Sequence, residues 1–301
     1  MYRLFCSLEI IFRFRENWVR VKITFLLKLA FSMLIMAYLF TRLSLHQVYD
    51  FWQTLSLSTI LVLFFLFLVN LMIQLWRWRT LVISHLPKTS FDQIIKSFFA
   101  GFALRLSVPG GYAEVGKIFF VSGSRKETLF AFGTEKYIAA STQFLLVGFA
   151  GMYILPEFYT GSFAMVALAV TLFTVYPYFK KFPFLKRHLD PDFPYSSSMI
   201  IVAVLTVMVY ALVTTQYYFM LLPEKVLTWL EMASVVIILI GSAMIPISYS
   251  GLGVREGVGI FLFQRFDVGQ EIVVGMTLLI FLLNIVLPAI VGMVVIFKFR
   301  K

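Results

Sequence analysis

Two stretches of this chain set glycine or proline beside opposite charges inside apolar runs. Residues 246–257 read Pro-Ile-Ser-Tyr-Ser-Gly-Leu-Gly-Val-Arg-Glu-Gly, so Pro246, Gly251 and Gly253 precede an Arg255-Glu256 pair. The earlier stretch runs from Arg105 through Pro109, Gly110 and Gly111 to Glu114 and Lys117, and a further pair, Glu135-Lys136, follows it. The chemistry these types suit is anion binding. A helix that starts inside a membrane aims free N–H groups and its positive dipole end at an anion, and a neighbouring Arg or Lys pairs with phosphate. Catalysis has less support, because no paired carboxylates, Ser/His/Asp arrangement or phosphate loop rises above chance; no catalytic site and no enzymatic activity are expected.

The elements that must hold these residues are set by composition. Of 301 residues 60% are hydrophobic and 14% charged, well below the roughly 25% charge of a soluble domain. An all-α polytopic membrane protein is therefore expected, with about 7–8 spanning helices and two broken or re-entrant segments. The net charge of +11 then points to loops held against anionic lipid headgroups, with no nucleic-acid partner. One cysteine, Cys6, and three scattered histidines give no basis for a disulfide or a metal site. No cofactor is expected.

Along the chain, residues 1–22 mix Arg3, Arg13, Arg15, Arg20 and Lys22 with Leu, Ile, Phe and Trp, the pattern of an interfacial amphipathic helix. Residues 23–301 are expected to form one transmembrane domain. Runs 23–40, 55–76, 129–155, 162–179, 199–222, 230–245 and 271–297 read as spans. Trp76 and Trp78 beside Arg77 and Arg79 read as an interfacial anchor, and 91–126 as a segment that enters and breaks. Basic residues concentrate in the N-terminal segment, 77–96, 180–198 and the C-terminus, which predicts cytoplasmic termini in a cell membrane. Alternating full spans satisfy that bias only if the two broken regions return or add a half crossing.

Two Gly/Pro-broken hydrophobic segments in corresponding halves point to a transporter's binding site. At these residues the chain resembles a known family. Pro-x-Ser-x-x-Gly-x-Gly-x-Arg-Glu from Pro246 to Glu256, with Pro-Gly-Gly-Tyr-Ala-Glu from Pro109 to Glu114 and the Glu135-Lys136 pair, is similar to the lysylphosphatidylglycerol synthase transmembrane region, a flippase-like family. The resemblance implies a helical domain that moves phospholipids or lipid-linked sugars between leaflets, without lysyl transfer, which in two-part members belongs to a fused soluble domain. Its partners would be membrane lipids, anionic or prenyl-linked. Arg105, Glu114, Lys117, Glu135, Lys136, Arg255 and Glu256 are the expected headgroup-binding residues. Lys136 stands where the family pair has Arg, and lysine lacks arginine's bidentate fork.

Two other readings stand beside this one. In one, the charges only neutralise one another and hold the fold, as buried pairs often do. Alternatively, the chain is a non-catalytic accessory subunit whose partner is a lipid-modifying or glycosyl-transferring enzyme.

Overall fold

The computed structural model describes residues 30, 33–35, 37, 41, 45–107, 112–181, 195–223, 226–243 and 251–299. The expected interfacial segment 1–22, most of the 23–40 span, and the breaks at Pro109, Gly110, Gly111 and Pro246 lie outside them. Helix α1, Leu45–Thr54, leads into α2, Leu57–His85, which begins where the Ser56 hydroxyl accepts from the Thr59 N–H. Leu57, Leu61, Phe65, Leu68, Met72 and Trp76 are exposed along α2, while Leu63, Phe67, Asn70, Trp78, Leu81 and Val82 are buried. Spacings of three and four place these sets on opposite faces. One face is left to lipid; the other carries polar residues inward.

The next helix, α3 (Phe91–Ser107), is followed by a 3-10 helix at Tyr112–Phe120 and by α4, Arg125–Ile154, capped by Ser124. Then come α5 (Tyr159–Val175), α6 (Tyr195–Leu221), α7 (Trp229–Ser242), α8 (Val254–Phe263) and α9 (Gln270–Phe281). A π-helical turn, Leu282–Val286, joins α9 to α10, Leu287–Phe299. Its cause is local: Pro288 has no N–H to return to the Asn284 carbonyl, so the helix widens by one residue there.

No strand occurs among the described residues, and five stretches are long and apolar enough to cross a membrane: Leu57–His85, Arg125–Ile154, Pro156–Tyr178, Met199–Leu221 and Gln270–Lys298. The chain is an all-α, multi-pass membrane protein. The helices flanking the two expected breaks are short, with 17 residues in α3, 14 in α7 and 10 in α8. At 1.5 Å per residue they reach about 26, 21 and 15 Å, less than a hydrocarbon core of about 30 Å.

Two buried clusters hold the helices together. One gathers Leu63, Tyr217, Met232, Val236, Phe263 and Met276 from α2, α6, α7, α8 and α9. The other gathers Trp78, Leu81, Ile94, Phe98, Ile138 and Ala289 from α2, α3, α4 and α10. α3 lies so close to α10 that a Cβ on Gly292 would run into the Phe99 carbonyl oxygen. Only glycine permits that approach. The second cluster is the floor on which the charged residues of the first break assemble.

Candidate functional site

Lys117, on the 3-10 helix, is the centre of the assembly. Its Nζ donates to Glu135 Oε2 at 2.7 Å and to Glu114 Oε1 at 3.2 Å, and stands 3.8 Å from the centre of the Trp78 ring. Two carboxylates and an aromatic face thus surround an ammonium whose side chain is 3% exposed, an arrangement that offsets the cost of taking it out of water. Trp78 is fixed in turn, its Nε1 donating to Ser97 Oγ at 2.7 Å.

The network continues from both carboxylates. Glu135, on α4 and 4% exposed, also accepts from Arg77 Nη2 at 3.1 Å, and Arg77 Nη1 donates to Thr206 Oγ1 of α6 at 3.2 Å. Glu114 Oε2 accepts from Lys136 Nζ at 2.7 Å. Lys136 is 43% exposed, so it marks the open rim. Around these groups lies a cavity of about 50 Å³, lined by Gln74, Arg77, Phe98, Gly101, Phe102, Arg105, Glu114, Lys117, Glu135 and Lys136.

Four cations and two carboxylates line this cavity, a formal excess of two positive charges. The donors are unevenly committed. Lys117 has spent its capacity on its two carboxylates and the indole face. Arg105, half-buried at the end of α3, has no hydrogen-bonded or ion-paired partner among the described residues, and the Nε of Arg77 is buried without one. Guanidinium donors left unpaired beside an ammonium at a rim are what a phosphate oxygen would complete.

Five of the seven expected headgroup residues therefore come together: Arg105, Glu114, Lys117, Glu135 and Lys136. Arg255 and Glu256 do not line the cavity. Arg255 Nη2 donates to Glu256 Oε1 at 2.9 Å, and the other carboxylate oxygen accepts from the Gly253 N–H at 2.6 Å. Gly251 and Gly253 take φ values of 83° and 84°, a left-handed backbone that favours glycine. Glu256, fully buried, thus closes the first turn of α8 from its N3 position, while Arg255 packs over Phe281.

Arg77 and Gln74 belong to the site although their types and positions did not single them out. Arg77 reads as an interfacial anchor because it lies between Trp76 and Trp78, with Arg79 next to them. The signal that identifies it is periodic: Asn70, Gln74 and Arg77 recur at i, i+4 and i+7 within an apolar run, which puts all three on one face of α2.

A search of curated proteins finds no match for the chain. The family model described as the lysylphosphatidylglycerol synthase TM region matches residues 25–292, nearly the whole length. The chain belongs to that family and is an integral membrane protein linked to lipid handling.

Proposed function

We propose that the cavity between α2, α3, the 3-10 helix and α4 binds the phosphate of a lipid headgroup, and that the domain carries that lipid between leaflets. The lipid is a phospholipid or a lipid-linked sugar. The observation that carries this reading is the excess of positive charge around the cavity, with Arg105 unpaired among the described residues. Cations in excess of carboxylates around a cavity inside an apolar bundle attract an anion. A phosphate entering from the Lys136 side supplies that counter-charge, while its acyl or prenyl tails stay in the bilayer.

Residue roles follow from the geometry. Arg105, Lys136 and Arg77 contact the phosphate; Lys117, Glu135 and Glu114 hold the wall in shape and keep the cations apart. The test is leaflet exchange of labelled anionic lipid in vesicles containing the purified protein. Exchange that slows with Arg105→Gln but persists with Arg255→Lys is the expected result. Equal exchange by wild type and Arg105→Gln overturns the assignment.

A further inference from the structure

Behind the cavity the membrane interior holds a ladder of side-chain amides. Gln216 Nε2 donates to the Leu63 carbonyl at 3.2 Å, and Gln216 Oε1 accepts from Asn284 Nδ2 at 2.8 Å. Asn284 Oδ1 accepts from Asn70 Nδ2 at 2.8 Å, and Asn70 Oδ1 from Gln74 Nε2 at 3.2 Å. Asn284 reaches this line from the π-helical turn between α9 and α10. Asn70 and Gln216 are fully buried.

The first partner fixes the polarity of the whole ladder. A backbone carbonyl only accepts, so Gln216 must turn its NH₂ toward Leu63 and its oxygen toward Asn284. Each following amide is then obliged to donate backward and accept forward, since reversing any one would set two oxygens or two NH₂ groups against each other. The ladder ends at Gln74, which lines the cavity. With one N–H of its NH₂ given to Asn70, Gln74 keeps Oε1 as the ladder's free acceptor, and that oxygen accepts no hydrogen bond among the described residues.

We infer that Gln74 is a specificity-determining residue, whose Oε1 accepts a hydrogen bond from a hydroxyl next to the phosphate of the headgroup. This rests on the phosphate-binding reading above. An acceptor calls for a donor on the ligand, and the two donor classes common in headgroups are ammonium and hydroxyl. Ammonium would enter a cavity that already carries excess positive charge, so like-charge repulsion disfavours it. The volume agrees with a small group: about 50 Å³, against the 10–15 Å³ needed for one water, holds a phosphate and the first atoms of its substituent.

The test is a binding titration of the purified full chain in detergent with three short-chain lipids. Phosphatidylglycerol and phosphatidylmethanol carry the same phosphodiester charge and differ in the hydroxyl; diacylglycerol supplies a lipid with no phosphate. Wild type should bind the glycerol lipid about 5- to 10-fold more tightly than the methyl lipid, as one hydrogen bond provides. Gln74→Met, which keeps the volume and removes the acceptor, should bring that ratio to about 1 and leave methyl-lipid affinity in place. Asn284→Leu, which severs the ladder at a distance, should lower the same ratio, and retained methyl-lipid binding certifies that each variant is folded. A wild-type ratio near 1, or an unchanged ratio in Gln74→Met, overturns the inference while phosphate binding stands. If neither anionic lipid binds better than diacylglycerol, the phosphate-binding reading falls as well.

Discussion

The two broken regions look alike in sequence, each pairing glycine or proline with Arg or Lys and Glu, yet the fold uses their charges differently. In the first, Glu114 and Lys117 meet Glu135, Lys136 and Arg77 from other helices around a cavity. In the second, Arg255 pairs with its own neighbour and Glu256 turns back to the N–H of Gly253, three residues earlier at the same helix start. The difference lies in where the partners come from. Charges balanced across elements need those elements to be in place and leave a space between them, whereas charges balanced within one turn serve the local backbone and can be packed over completely.

The largest expected effect breaks the first region at its centre. Lys117→Met leaves Glu114 and Glu135 short of their shared cation, and losing one partner of a buried pair costs about 3–5 kcal/mol. Thermal unfolding of the purified protein should show it, and adding Glu135→Gln should recover part of the loss. A Lys117→Met protein as stable as wild type would mean that the network does not hold these helices.

In the second region Glu256→Gln keeps one acceptor but strands Arg255, so a cost of about 3 kcal/mol, the low end of the same range, is expected in unfolding. Lipid affinity of the folded protein should not change. A loss of lipid binding without a loss of stability would reverse the contrast between the regions.

Arg105→Gln should do the opposite. Its guanidinium has no partner among the described residues, so unfolding should move by less than about 0.5 kcal/mol. Losing a hydrogen bond from a charged donor to phosphate should weaken binding of an anionic lipid about 10- to 100-fold in titration. The smallest change sharpens the account of Glu256. α7 begins with the exposed counterpart of its cap, Glu231 accepting from the Thr228 N–H at 2.7 Å while the Thr228 hydroxyl accepts from the Glu231 N–H. Thr228→Ala should cost about 1 kcal/mol in unfolding, less than Glu256→Gln, because water can replace an exposed cap.

Much of the architecture was legible because a bilayer imposes it. Apolar runs long enough to span had to be helices, since hydrocarbon offers the backbone no other partners; three of the five long stretches start and end within four residues of the runs read from hydropathy, and Pro156–Tyr178 starts six residues before its run. The fifth, Leu57–His85, continues nine residues beyond its expected end at Trp76. Arg77 is the reason the extension was not legible: a charge beside two tryptophans suggests an interface, but Glu135 and Thr206 receive it from inside the bundle.

The amide ladder was less legible still, because Asn70, Gln74, Gln216 and Asn284 are single polar residues in three separate helical segments. Nothing local marks them as one line.

By itself the sequence determined the solvent, the helical class and the places where helices stop, since these follow from apolar length and from the backbone limits of proline and glycine. It also supplied the charged residues worth watching. Only the tertiary structure decided which of them share a cavity: it separated Arg255 and Glu256 from the rest, brought in Arg77 and Gln74, and gave Arg105 no partner among the described residues. Ion pairing and amide polarity act over about 3 Å between groups up to 214 residues apart in the chain, and chain order carries no measure of that distance.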